Sequence, residues 1–158
     1  MKRKGLLLGL IALLVALDQL TKAAVAKGLA LYETRRVIPG VLNIIHSRND
    51  GAIFGVLSHA GNPSLRWVLA AASFVALALV ITYFVKTPAR DGLMLTALSL
   101  ILAGAVGNNL DRIVRGSVVD FLDLYLGRWH WPVFNVADSC ISIGAALVIL
   151  VILRRKPS

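Results

Sequence analysis

Cysteine and acidic residues are scarce in this chain of 158 residues, which has one cysteine and eight acidic side chains. A single cysteine excludes a disulfide within the chain, and we interpret Cys140 as a small buried packing residue. The few histidines lack the spacing of metal ligands, so we expect His46 and His59 at the protein surface or a membrane interface. With so few acids available, any cluster of carboxylates becomes a feature that needs an explanation.

Apolar residues are abundant: they make up 58% of the chain, and the mean hydropathy is +0.78. This composition excludes an ordinary soluble domain. The formal net charge of +9 comes mainly from lysines and arginines that flank the long apolar runs. That distribution is typical of membrane topology and not of a nucleic-acid-binding surface, so we expect no nucleic-acid partner.

The apolar runs predict a mainly α-helical membrane protein in which the whole chain, 1–158, forms a single integral membrane domain. Four runs are long enough to cross a bilayer as helices. We place these four transmembrane helices at about 5–26, 65–85, 92–110 and 133–153.

Turn-forming residues and short apolar stretches between the first two runs predict a small extracytoplasmic β-element at about 36–60. Its strands are expected at 41–46 and 52–57. Gly116 is predicted to end the third helix, followed by an apolar and acidic connector at 117–125 and a loop at 127–131.

Several polar side chains have the spacing that brings them to one face of a helix. Asp18 and Lys22 are four residues apart, so they can form an ion pair. This pair either neutralises itself near the membrane interface or turns Asp18 inward to orient a site. Asn108, Asp111 and Arg112 also share one face at the end of the third run.

Two carboxylates can meet beside the start of the fourth helix. Asn135 and Asp138 share a helix face there, and Asp120 lies on the connector that leads to the same helix. When two carboxyl groups are close together, one of them retains a proton near neutral pH, which provides one general base and one general acid without a metal. The alternative is that these carboxylates only pair with the arginines Arg112, Arg115 and Arg128.

Five segments, taken together and in this order, resemble the motifs of the bacterial lipoprotein signal peptidases (signal peptidase II). They are Asp18-Gln19-Leu20-Thr21-Lys22, Arg48-Asn49-Asp50-Gly51-Ala52-Ile53-Phe54, Gly107-Asn108-Asn109-Leu110-Asp111-Arg112, Val118-Val119-Asp120-Phe121 and Phe134-Asn135-Val136-Ala137-Asp138. Where this chain has Gly-Ala-Ile-Phe, the family usually has Gly-Ala-Ala-Phe. The resemblance runs from Asp18 to Asp138 and fits the predicted four-span layout.

The resemblance implies an intramembrane aspartic endopeptidase that uses no cofactor and no metal, with Asp120 and Asp138 as its catalytic pair. The implied supporting and substrate-binding residues are Asp18, Lys22, Asn49, Gly51, Asn108, Asp111, Arg112 and Asn135. The implied substrates are prolipoproteins, which are cut just before a cysteine that carries diacylglycerol. The expected surroundings are membrane lipid, and we expect a monomer.

Two other classes of protein remain as alternatives. A metal-dependent lipid enzyme would use the oxygen and nitrogen donors of Asp111, Asp120, Asp123, Asp138 and His130. A transporter subunit or membrane scaffold would place charges near the bilayer midplane between inverted repeats. The clustered acidic residues of this chain instead fall at one predicted membrane face, and the sequence has no convincing internal repeat.

The basic flanks predict that both termini and the 86–90 loop are cytoplasmic in the bacterial inner membrane, and that the polar clusters face the periplasm. Single cysteines introduced at Lys86 and His59 in a Cys140→Ser background should therefore react with an impermeant thiol reagent from opposite sides. The measurement is labelling of intact cells compared with opened cells. Labelling of both positions from the same side would contradict four spans.

Overall fold

The computed structural model of this protein describes residues 2–49 and 63–154, and between 63 and 70 it describes the side chain of Val68 alone. The strand expected at 52–57 and the expected position of His59 lie outside the described residues. Gly51 also lies outside them, whereas Asn49 is described.

Four long helices account for most of the chain, and they confirm the mainly helical fold class. The helices are α1 Lys2–Gly28, α2 Pro63–Lys86, α3 Gly92–Arg115 and α4 Val136–Arg154. Three of them, α1, α3 and α4, are long and apolar enough to cross a membrane. Among the described side chains of α2, the apolar stretch is shorter and covers Ala71–Lys86.

The helix ends depend on particular capping residues. Gly116 adopts a left-handed conformation with φ of 76° and ends α3, as predicted. The helix nevertheless continues past the predicted limit near residue 110, because its polar last turn is bonded to neighbouring elements. At the start of α4, the Asn135 side chain accepts a hydrogen bond from the Asp138 amide at 2.9 Å, and Asp138 accepts one from the Asn135 amide at 3.2 Å. This reciprocal cap starts the helix at Val136, later than the predicted start near 133.

A small antiparallel sheet accompanies the helices. Its strands are β1 Thr34–Ile38, β2 Leu42–Asn49, β3 Val118–Leu126 and β4 Trp129–His130, in the order β1-β2-β3-β4. The prediction of a connector at 117–125 is therefore wrong, because this segment forms the long strand β3, and part of the predicted loop at 127–131 forms β4. The carboxylates of Asp120 and Asp123 in β3 are compatible with a buried strand, because Asn49 and Asn43 of β2 donate hydrogen bonds to them.

A bulge in β2 sets the register of the sheet beside the first acidic residue of β3. Ile44 lies opposite Leu122, but Ser47 lies opposite Asp120, so β2 has one extra residue between these pairs. Beyond the bulge, Asn49 at the end of β2 donates a side-chain hydrogen bond to the Asp120 carboxylate at 3.0 Å. The bulge thus lets the end of β2 reach a side chain of the neighbouring strand.

His46 lies inside the protein, so the expectation of a surface or interfacial histidine is wrong for this residue. Only 5% of it is exposed, and its Nδ1 lies 3.0 Å from the carbonyl oxygen of Leu29. The cause is the packing of β2 against the end of α1, which encloses the middle of the strand. Cys140 is also buried, as expected of a packing residue.

The helices pack around a core at one end of the bundle, next to the α2–α3 loop. Its buried members are Phe84, Met94, Leu95, Leu98, Leu102 and Val151. The basic start of α1 contacts the end of α2 and this loop, since Lys4 Nζ donates to the Val85 carbonyl oxygen at 2.8 Å and Arg3 donates to that of Ala89 at 3.2 Å. The sheet follows the other ends of α1 and α3, so the basic residues and the sheet lie at opposite ends of the helices.

Helices α3 and α4 approach each other closely at two glycines. A Cβ atom on Gly104 would collide with the carbonyl oxygen of Ala137, and one on Gly144 would lie 2.7 Å from that of Ala97. Small residues permit this kind of backbone approach between helices in membranes. The close approach fixes the start of α4 against the middle of α3, just before the polar last turns of α3.

Candidate active site

A buried lysine lies at the base of the site. Lys22 of α1 is fully buried, and its ammonium group has three partners that match its three N–H donors. The distances from Nζ are 2.8 Å to Asp18, 3.0 Å to Asp111 and 2.9 Å to the side-chain oxygen of Asn108. The pair predicted from the spacing of Asp18 and Lys22 is confirmed, and it is directed inward.

Asp18 connects this lysine to the start of α4. Its second carboxylate oxygen accepts a hydrogen bond from the backbone amide of Ala137 at 2.9 Å. This amide belongs to the first turn of α4, where backbone N–H groups have no partner within the helix. The anion is also favoured by the positive end of the helix dipole. Asp18 therefore fixes the position of the turn that carries Asp138.

Asp111 performs the corresponding task for the strand β3. It is fully buried and accepts a hydrogen bond from the backbone amide of Val119 at 3.1 Å. Its other oxygen is paired with Arg115 and accepts from Gln19 at 3.3 Å. The carboxylate of Asp111 thus holds β3 one residue before Asp120.

A chain of hydrogen bonds extends from the lysine to both predicted catalytic carboxylates. The side-chain amide of Asn108 donates to Asp138 at 2.8 Å. The side-chain amide of Asn135 donates to Asp120 at 2.7 Å and to the side-chain oxygen of Asn108 at 3.2 Å. The backbone of Phe134 also forms a bridge to Leu122, which brings the segment before α4 alongside β3. The two carboxylates are therefore held on either side of Asn135.

Asp120 lies on the sheet, outside the membrane-spanning helices, and has an altered acidity. Burial and then the nearby charge of Asp138 raise the pKa of Asp120 from 3.8 to about 6. Hydrogen bonds from Asn49 and Asn135 and the charge of Lys22 act in the opposite direction. The result is a carboxyl group that can hold or release a proton close to neutral pH.

The remaining acid of β3 belongs to a separate cluster. Asp123 accepts hydrogen bonds from Asn43 at 2.8 Å, and its other oxygen lies 2.7 Å from Nδ1 of His130. His130 is about half exposed and stacks on Tyr125. Among residues 2–49 and 63–154, no three histidine, cysteine or acidic side chains come together as metal ligands.

Among the described residues, neither Asp120 nor Asp138 forms the ion pair with Arg112, Arg115 or Arg128 that the alternative of simple pairing required. Arg115 pairs with Asp111 and also donates to Gln19 at 2.9 Å. Arg112 instead turns towards α2, with Nη1 at 3.4 Å from both the Ser73 hydroxyl and the Asn109 side-chain oxygen. Asp138, Asp120 and Asp111 all act electrostatically on Arg112.

The described residues among those predicted for the site converge on one region; Gly51 lies outside the part of the chain that the structure describes. The residues that sequence reasoning did not assign to the site are Gln19, Ser73, Asn109 and Arg115, the last of which it named only as an alternative partner for the carboxylates. Gln19 and Asn109 lie inside the quoted motifs, and Arg115 is one helical turn after Asp111, so proximity in sequence was an available signal for three of them. Nothing in the sequence distinguishes Ser73 within its apolar helix.

Replacement of Lys22 by methionine should destabilise the protein strongly. The change leaves Asp18 and Asp111 buried without their shared cation, which typically costs about 3–5 kcal/mol. The matched control is Lys27→Met on the exposed surface of the same helix, which should change stability by less than about 0.5 kcal/mol. Thermal and chemical unfolding in detergent measures both variants. Equal stability of the two would contradict a supporting role for the Lys22 cluster.

Comparison with known proteins identifies the family. The family model for signal peptidase (SPase) II matches residues 10–154. The lipoprotein signal peptidase of Syntrophus aciditrophicus is 44% identical over 158 residues, which cover 98% of this chain and 97% of that protein. The lipoprotein signal peptidase of Paraburkholderia phymatum is 45% identical over 148 residues, which cover 94% and 87% of the two chains.

The fold is similar to that of solved membrane proteins. One is a bacterial membrane enzyme determined by the in meso method at 2.3 Å resolution, with a TM-score of 0.81 and 33% identity over 98% of this chain and 94% of the other. A second, determined at 1.9 Å by the same method, has a TM-score of 0.82 and 33% identity over 96% and 95%. Because the family model and the relatives both cover nearly the whole chain, the protein belongs to the signal peptidase II family.

Proposed function

We propose that Asp120 and Asp138 form the catalytic pair with which this membrane protease removes signal peptides from prolipoproteins. The observation that carries the proposal is the position of Asn135, whose side chain donates to Asp120 at 2.7 Å while its backbone amide donates to Asp138 at 3.2 Å. Both carboxyl groups are thereby oriented by one residue. The bond that is cut precedes the cysteine that carries the diacylglyceryl group.

The acidity of Asp120 supports a pair that shares one proton. Its pKa of about 6 is caused first by burial and then by the charge of Asp138. Two neighbouring carboxyl groups cannot both ionise at low cost, so the pair loses its second proton less readily than its first. At intermediate pH, one member is ionised and the other is protonated.

The singly protonated pair can hydrolyse a peptide bond with water alone. The ionised carboxylate takes a proton from water, and the resulting hydroxide attacks the carbonyl carbon of the peptide bond. The protonated carboxyl group donates a hydrogen bond to the oxyanion that develops. When the tetrahedral intermediate collapses, the C–N bond breaks and the leaving amine takes up the proton that the first carboxylate received from water. The hydrogen bonds from Asn49, Asn108 and Asn135 keep both carboxyl groups oriented during these steps.

The arrangement of charges supports a site at the outer face of the bacterial inner membrane. Arg3 contacts the α2–α3 loop and Lys4 the last turn of α2 at one end of the bundle, whereas the catalytic pair lies beside the sheet at the other end. Basic ends are typical of the cytoplasmic side. Both termini are then cytoplasmic, the pair faces the periplasm, and a lipid-anchored cysteine reaches it from the outer leaflet. The enzyme works as a monomer surrounded by membrane lipid.

Conversion of either catalytic aspartate to asparagine should abolish cleavage without unfolding the protein. Asp120→Asn and Asp138→Asn keep the size of the side chain but remove its acid and base function, so activity should fall at least about a thousandfold. The double variant should be hardly less active than either single variant, because the pair acts as a unit. The assay is cleavage of a diacylglyceryl-modified prolipoprotein by purified enzyme in EDTA.

The matched control is Asp123→Asn, the same substitution on the same strand but in the cluster with His130. This variant should stay within about tenfold of the wild type in activity. Substantial cleavage by Asp120→Asn or Asp138→Asn, or a requirement for an added metal ion, would refute the proposed pair.

The pH dependence of cleavage should reflect the pair. The kcat/KM of the free enzyme should fall on the alkaline side near pH 6, because above the Asp120 pKa of about 6 both carboxyl groups are ionised and no acid remains. It should also fall at low pH, where both are protonated and no base remains. Asn49→Leu removes a hydrogen bond that lowers the Asp120 pKa, so its alkaline limb should move to higher pH. Steady-state rates over about pH 4 to 9 test this. If the alkaline limb of Asn49→Leu stays at the same pH or moves to lower pH, the assignment of this limb to Asp120 is wrong.

A further inference from the structure

One buried amide of α3, next to Asn108 in the chain, has unused hydrogen-bond donors. Asn109 of α3 is only 3% exposed. Its side-chain oxygen accepts a hydrogen bond from the Ser73 hydroxyl of α2 at 2.7 Å and lies 3.4 Å from Nη1 of Arg112. Its amide nitrogen, Nδ2, has no hydrogen-bond partner among the described residues.

The orientation of this amide follows from its neighbours. An arginine side chain can only donate hydrogen bonds, so the atom of Asn109 that faces Arg112 must be the oxygen. Nδ2 must therefore point the other way with two N–H groups. A buried donor without an acceptor typically costs about 1–3 kcal/mol, and such groups are rare in folded proteins.

The neighbouring asparagines are bonded through both atoms of their amides. Asn108 accepts from Lys22 and donates to Asp138, and Asn135 accepts from the Asp138 amide and donates to Asp120. Asn109 differs from them although it adjoins Asn108 in the chain. It also lies against Arg112, a residue predicted for the site. The unused donors thus belong to the residue next to Asn108 but are not part of the network that holds the site together.

We propose that Nδ2 of Asn109 donates a hydrogen bond to a carbonyl oxygen of the bound substrate. This inference rests on the proposed function. A neutral acceptor fits, because the N–H groups of an uncharged amide can be satisfied by a carbonyl oxygen. A lipid-modified prolipoprotein offers two sources of this acceptor, the peptide backbone of the signal peptide and the ester groups of the diacylglyceryl chain. Ser73 and Arg112 fix the orientation of the amide.

The test is Asn109→Leu, measured with a diacylglyceryl substrate and with its dialkyl ether analogue, which lacks the ester carbonyls. The KM should rise about tenfold, the equivalent of about 1.4 kcal/mol, while kcat stays within about twofold. An equal rise with both substrates assigns the acceptor to the peptide backbone, and a rise confined to the ester substrate assigns it to the lipid. An unchanged KM with both substrates would overturn the proposal.

A second variant separates substrate binding from an effect on Arg112. Asn109→Asp keeps an acceptor for Ser73 and Arg112 but replaces the N–H donors with an oxygen, so its KM should rise as well. A rise in the leucine variant alone, or a lower kcat at unchanged KM in both variants, would mean that Asn109 acts through Arg112 and would refute the proposal. Thr96→Val, at the opposite end of α3, removes another side-chain hydrogen bond and should leave KM and kcat within about twofold.

Stability provides a readout that does not depend on activity. Loss of the unused donors should cost no stability, but Asn109→Leu also removes the acceptor of Ser73, so its thermal unfolding temperature should fall no further than that of Ser73→Ala, which loses the same hydrogen bond. A fall well beyond that of Ser73→Ala, with unchanged KM, would identify Asn109 as a structural residue and refute substrate contact. Failure of the proposed function itself would appear separately, as cleavage by the Asp120→Asn or Asp138→Asn variants.

Discussion

The buried ammonium group of Lys22 is the interaction on which the rest of the site depends. It pairs with the two buried carboxylates of Asp18 and Asp111. Asp18 also accepts a hydrogen bond from the backbone amide of Ala137 in α4, and Asp111 accepts one from that of Val119 in β3. The cost of removing such charges from water is offset only when they are paired and fully hydrogen-bonded. Here all three N–H donors of the lysine have partners. One cation therefore fixes α1, α3, the start of α4 and the start of β3 together.

This arrangement gives Asp138 two tasks. It caps its own helix by accepting a hydrogen bond from the backbone amide of Asn135. The same carboxylate is oriented by a hydrogen bond from the side chain of Asn108. A side chain that also starts a helix cannot easily adopt another rotamer. Its geometry is set by folding before a substrate arrives, and preorganised polar groups of this kind lower the cost of stabilising developing charge. Stability of the helix start and orientation of the proposed catalytic group therefore depend on the same hydrogen bonds.

Local patterns in the sequence were sufficient for features that involve one element. The spacing of Asp18 and Lys22 predicted their ion pair, Gly116 predicted a helix end, and the apolar runs predicted the four helices. Features that depend on distant elements were missed. The strand β3 was expected as a connector because Asp120 and Asp123 interrupt its apolar pattern, and their partners come from β2, about 70 to 80 residues earlier. The burial of His46 depends likewise on packing between the sheet and α1, which no local pattern encodes.

The sheet completes what the helices alone could not provide. Helices α3 and α4 approach closely enough through Gly104 and Gly144 to bring Asn108 to Asp138, but both residues belong to the bundle. The second carboxyl group comes from β3, and the bulge in β2 brings Asn49 to it from the neighbouring strand. Burial on the sheet raises the pKa of Asp120 to about 6. Two acids that come from different kinds of element have different surroundings, and such a difference allows one to act as an acid while the other acts as a base.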